Sequence, residues 1–316
     1  MRRIILISFC SISLFGSAQQ TAEYSQYVLN SFGFNPASCG NSTEYEVLFG
    51  RREQWKGYGG PLTQFVSVNR GFLKKSYKKY WHGVGIYIED DAAGLMDSKQ
   101  TAAAYSFHLR VARGYTAAFG VSIGSRLQSH ASSLSTMYDP ALTLYPPVVR
   151  VTPDINAGAR FYSKKFFADI SVRQIFKNKV EQGSKILGTP SLLSPHIYAT
   201  MGERFYSEDY YYMFEPSVHL QSTFTGFPSV SAGAMLYINK RVGIGLFGRW
   251  PESVYGVLQV RVYKNILIGY AYDYTLSRMH VASANSQEFM VGISPVLSVE
   301  NFPGKTSNTN CPVFDF

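Results

Sequence analysis

The sequence is poor in charge. Asp, Glu, Lys and Arg make up only 16% of its 316 residues, against about 25% in soluble domains. It holds three cysteines, too few for a small disulfide-framework protein. Past the N-terminus no apolar run reaches the ~18 residues needed for a membrane-crossing helix. No Cys-x-x-Cys or His-x-x-x-His spacing suggests a metal. No Gly-rich loop opens a helix to cradle phosphate. Disorder is excluded by the opposite feature, since 22 Phe and 23 Tyr are far too many for a chain that avoids burial.

The first residues read as an export signal. Arg2 and Arg3 precede an apolar stretch from Ile4 to Phe15, and Gly16-Ser17-Ala18 offers a cleavage site after Ala18. Cleavage leaves Cys39 and Cys311, which in an exported protein either pair or stay as free thiols.

The body alternates with a period of two. From Tyr115 to Ile123 the odd positions are Tyr, Ala, Phe, Val and Ile, while the even ones include Thr116, Gly120 and Ser122. Alternation of this length means strand. Segments of this kind recur at 44–55, 61–72, 81–90, 99–110, 115–127, 153–162, 166–175, 196–204, 210–221, 229–238, 242–250, 253–263, 265–275 and 286–297. Most approach the ~9–11 residues of a tilted membrane-crossing strand. The connections after even strands are mostly short, and the long ones (128–152, 176–195 and 276–285) follow odd strands. Outer-membrane barrels pair short periplasmic turns with long outer loops. The fold expected is all-β, a transmembrane outer-membrane β-barrel of about 14 antiparallel strands with both termini in the periplasm. The chain then divides into a signal peptide (1–18), an N-terminal periplasmic or plug segment (19–43), the barrel (44–297) and a C-terminal periplasmic tail (298–316).

In such a barrel the apolar face meets outer-membrane lipid and the polar face lines the lumen. Trp55, Trp81, Trp250, Tyr263 and Tyr274 are expected in the aromatic girdles. Basic residues gather at the short turns, among them Lys164, Lys165, Lys240 and Arg241. They suit lipid phosphates or an acidic periplasmic partner. Arg52, Gln54, Arg249, Asp273 and Glu288 fall on the lumen face near the outer mouth. Arg52 and Glu288 face each other where the first and last strands meet. Such charges either pair structurally or form a polar recognition surface. The outer loop 128–152 carries Met137, Tyr138, Leu142, Leu144 and Tyr145 with few charges, which suits a partner or an inward-folded lid.

Several blocks carry a family resemblance. They are Tyr24-Ser25-Gln26-Tyr27, Asn35-Pro36-Ala37 with Gly40, and Arg52 with Gln54-Trp55, Gly57, Gly60-Pro61. Near the end come Tyr272-Asp273-Tyr274-Thr275 and Ser286 to Gly292. In order and spacing they resemble the PorP/SprF family of type IX secretion system outer-membrane proteins of Bacteroidetes. Tyr24 stands where Phe is usual and Gln287 replaces a common His; the middle of the chain matches only in strand rhythm. The resemblance implies a role in gliding-related secretion or surface attachment of large adhesins bearing a C-terminal sorting domain. It also implies contact with periplasmic ring components of the machine. No enzyme activity, cofactor or nucleic-acid partner is expected. The main rival is an outer-membrane channel or transporter for small solutes, which would want an open lumen.

Overall fold

A computed structural model of the protein describes residues 22–41, 45–56, 60–72, 79–94, 96–130, 149–176, 179–180, 191–192, 194–223, 228–263, 265–276 and 285–294. Fourteen antiparallel strands close into a barrel. They are β1 (Glu46–Glu53), β2 (Leu62–Phe72), β3 (Tyr80–Ala93), β4 (Met96–Ala112), β5 (Tyr115–His130), β6 (Val149–Tyr162) and β7 (Phe166–Arg173), then β8 (His196–Glu203), β9 (Tyr212–Thr223), β10 (Ser229–Ile238), β11 (Val242–Trp250), β12 (Ser253–Tyr263), β13 (Ile266–Thr275) and β14 (Ser286–Ile293). Each pairs with its sequence neighbours, and β1 closes the ring on β14 from Val47↔Ile293 to Glu53↔Gln287. The two-residue strand Phe205–Tyr206 pairs alongside Phe214 and Met213 of β9.

The period-two pattern sorts side chains by solvent. In β3, Val84, Ile86 and Ile88 point outward, while Tyr87 and Glu89 are buried in the lumen. Leu246 and Ile123 are 67% and 61% exposed, which is the state of a side chain that faces lipid. Trp250, Tyr263 and Tyr274 are exposed on the outer wall. Trp81 is a correction to the girdle expectation, because it is 0% exposed and lies inside. It sits an odd number of residues from Val84, Ile86 and Ile88, so strand parity turns it inward with Tyr87.

Strand length varies round the ring. β4 and β5 have 17 and 16 residues, whereas β1, β7, β8 and β14 have 8 each. The rim joining β4 to β5, β6 to β7 and β10 to β11 carries the short turns. At Asn239 and Lys240 the φ angles are 49° and 53°, the twist that a two-residue hairpin turn needs. We call this the inner rim. The opposite rim carries the long connections and is the outer rim.

Candidate functional site: a plugged lumen

Residues 22–41 run through the barrel from the outer rim to the inner one. At the inner end, the Asn-Pro-Ala segment forms a turn that its own residues build. Asn35 Oδ1 accepts from the Ala37 amide at 2.9 Å, capping the short 3-10 helix Pro36–Ser38. Its Nδ2 donates to Ala159 O at 3.0 Å and to Asp169 Oδ1 at 3.2 Å, tying the turn to β6 and β7. Arg160 donates to Ser38 Oγ at 2.5 Å. Ser106 Oγ donates to the Cys39 carbonyl at 2.6 Å, and His108 Nε2 faces the same oxygen at 2.7 Å. That places the proton on Nε2 and leaves Nδ1 to accept from Tyr162, 3.0 Å away. Trp81 stacks on His108 at 4.9 Å and donates from its indole to Gly40 O at 3.1 Å. Ser106 and His108 thus sit side by side, fully buried, holding the plug's backbone.

The wall is cut away where the plug lies against it. A Cβ on Gly120 of β5 would fall 2.3 Å from Ala37 N. Gly40 has φ +73°, a left-handed conformation, and a Cβ there would meet Gly83 Cα at 2.3 Å. Backbone therefore packs on backbone at both places.

Midway the contacts are aromatic. Tyr27 stacks on His219 at 4.8 Å and its hydroxyl lies 2.8 Å from Ser217 Oγ. Phe34 packs on Tyr198 at 5.3 Å, and Tyr24 meets Phe65 edge-on at 5.1 Å. Tyr24 and Tyr87 both donate to Glu89 Oε2, at 2.9 and 2.7 Å. Around Glu89 lie Arg173, which also reaches Gln100, and Arg126, which donates to Gln100 at 2.9 Å and pairs with Asp154 at 3.3 Å. Beside the plug lie cavities of about 20 and 10 Å³, room for a water at most.

At the outer end, barrel charges grip the plug. Asp273 Oδ2 accepts from Arg52 at 2.8 Å and from Arg249 at 3.0 Å. Arg52 also meets Glu288 at 3.3 Å, its register partner across the β1–β14 closure. Ser25 sits at the centre. Its hydroxyl lies 2.8 Å from both Asp273 oxygens and from Arg52, and 3.0 Å from Arg249. The amides of Ser25 and Gln26 donate to Glu288 at 2.7 and 2.9 Å. Arg249 pairs with Glu23 at 3.4 Å. Gln54 reaches Glu252 in the turn after β11 at 3.4 Å. These charge-assisted bonds are the strong kind, roughly twice a neutral one.

The sequence-predicted residues Arg52, Arg249, Asp273 and Glu288 are therefore brought together, each at most 3% exposed, and Gln54 lies at their edge. The plug covers them, so they meet a ligand only if it moves. Met137, Tyr138, Leu142, Leu144 and Tyr145 lie outside the described residues, as does Cys311. Cys39 is a free, fully buried thiol. Sequence reasoning did not single out Ser25, Gly120, Glu89, Arg126 or Arg173 as site residues. The last three sit at lumen-facing positions of long strands, a parity signal that was available.

A closed barrel with a lipid-facing apolar exterior and its own N-terminal segment packed through the lumen is a plugged outer-membrane β-barrel. The PorP/SprF family, described as type IX secretion system membrane protein, matches residues 16–293, and this chain belongs to it. None of the curated proteins matches. Among solved structures, the chain is similar to BamA from Haemophilus ducreyi lacking POTRA domains 1–3. Identity is 10% and the TM-score 0.44, over 80% of this chain and 70% of that one. It is also similar to the translocator domain of the autotransporter NalP from Neisseria meningitidis. There the identity is 11% and the TM-score 0.41, over 85% and 92%. A porin mutant of Rh. blastica aligns at 7% identity and a TM-score of 0.35, over 79% and 98%.

Proposed function

We propose that this protein is a non-enzymatic anchor of the type IX secretion system. In this reading it supports secretion or surface attachment of a partner adhesin carrying a C-terminal sorting domain, in gliding-related export. Export after cleavage behind Ala18 delivers it to the outer membrane. The carrying observation is the filled lumen. A diffusion channel needs a continuous aqueous path, whereas residues 22–41 run through the lumen and the cavities of about 20 and 10 Å³ beside them are water-sized. The basic inner-rim residues Lys164, Lys165, Lys240 and Arg241 support docking of an acidic periplasmic ring component.

The segment between β5 and β6 with Met137, Tyr138, Leu142, Leu144 and Tyr145 is assigned in this reading as the cargo-facing element, because it connects these strands at the outer rim and is apolar in composition. Deleting 133–148 is expected to abolish cargo attachment while barrel insertion persists. Unchanged attachment removes the assignment. The reading as a whole is tested by purifying the protein from detergent-solubilised outer membranes and recording single-channel conductance on the same sample. A co-purifying large surface protein or ring component, with a silent barrel, is the expected result. A steady open-pore conductance without a partner favours solute transport instead.

A further inference from the structure

The direction in which the plug is threaded has a functional meaning. Its C-terminal end leads into β1 at the inner rim, where Asn35 to Gly40 is locked against β3, β4, β5 and β6. Its N-terminal end is at the opposite rim. Glu23 meets Arg249 near the end of β11, and Ser25 meets Asp273, close to the end of β13. Ala22 is half-buried just beyond. The inner end is held covalently by the first strand. Among the described residues the outer end is held by noncovalent bonds, from Glu23, Ser25 and Gln26 to Glu288, Asp273, Arg52 and Arg249. A chain fixed at one end is peeled from the other, because the bonds at the free end break one after another.

We infer that the free end of the plug is displayed at the cell surface, and that release of the plug begins there, with the Glu23 contact breaking first and the Ser25 contacts after it. A partner outside the cell can pull this end directly. A pull from the periplasm acts on the end that β1 and the inner seat already hold.

This inference rests on the cleavage behind Ala18 and on the outward orientation from loop lengths given above, and the test separates the display from the orientation. One epitope is inserted immediately before Ala22, a second after Gly94 in the β3–β4 turn of the outer rim, and a third after Arg113 in the β4–β5 turn of the inner rim. Each variant is checked for a folded barrel by heat-modifiable gel mobility, then probed with antibody on intact and on permeabilised cells. As an independent variant, Ala22→Cys in a Cys311→Ser background is labelled with a membrane-impermeant maleimide. Expected is labelling in intact cells before Ala22 and after Gly94, with Arg113 reached only after permeabilisation. If Gly94 is labelled and the Ala22 positions are not, the surface display is overturned while the orientation stands. If Arg113 is labelled in intact cells and Gly94 is not, the orientation fails and the display fails with it.

Discussion

Arg52 uses one guanidinium to hold three partners. Nη1 reaches Ser25 and Glu288, and Nη2 reaches Asp273. Removing one member of a buried ionic set leaves charges without compensation, which costs about 3–5 kcal/mol. Arg52→Ala is therefore expected to lower the temperature at which the folded barrel unfolds on heat-modifiable gels. Arg52→Lys should fall between, because a point charge cannot span the same three acceptors. An unchanged unfolding temperature in Arg52→Ala would show that the cluster does not bind the plug to the wall. Glu252 adds a pH signature from the turn above. Burial first, then Glu23, raise its carboxyl above the usual range; Asp273 adds to this, while Arg249 and Arg52 oppose it. A folded value above the unfolded one favours the fold fully below the unfolded value, and that contribution is lost as pH rises through the folded value. Glu252→Gln removes the loss, so the variant should gain over the native protein at neutral pH and converge with it in acid. Parallel pH curves would take Glu252 out of the outer network. At this scale Arg52, Asp273, Glu288 and Arg249 were legible because strand count and parity put them on one face near one rim. Ser25 was not, since nothing local to a short polar segment says which carboxylates it will meet more than 200 residues away.

Elements were the most legible scale. Alternation located all fourteen strands, with several spans matching at both ends, such as 229–238, 242–250 and 253–263. Lipid on one side and packed polar groups on the other enforce that period, so it is written into every crossing. Trp81 shows where the reading slipped. Residue type suggested a girdle, while the outward Val84, Ile86 and Ile88 fix the opposite face. The seat of the Asn-Pro-Ala turn was legible as a motif but not as a fit, because the glycines that receive it lie on other strands. Gly120→Leu should push the turn from its seat, since even a Cβ there meets backbone at 2.3 Å. Limited proteolysis of the folded barrel should then cut within 22–41, where the native protein resists. Equal resistance would mean that the seat is not what retains the plug.

The molecule as a whole combines a wall wide enough for an aqueous path with a segment that closes it. Deleting 22–41, with folding confirmed by gel mobility, is expected to turn a silent barrel into a steadily conducting one. A silent deletion variant would place the block elsewhere. That the N-terminal segment fills the lumen was one of two readings open from the sequence. Composition shows that the segment is not a strand, but not what it packs against.

The uneven wall has its own consequence for the surrounding bilayer. Eight residues at about 3.3 Å each, tilted by roughly 40°, rise about 20 Å, short of the ~25 Å apolar band typical of such barrels. The low place is β14–β1, where the ring closes. β7 and its neighbour are not a second one, since Ile175 still donates to Ile155 O and Ile175 and Phe176 remain exposed beyond Arg173. A bilayer that meets the short β14–β1 wall is thinned on that side of the barrel. Two such barrels share their deformation most cheaply when the thinned sides meet, so the membrane itself favours one side on which a neighbouring barrel comes alongside.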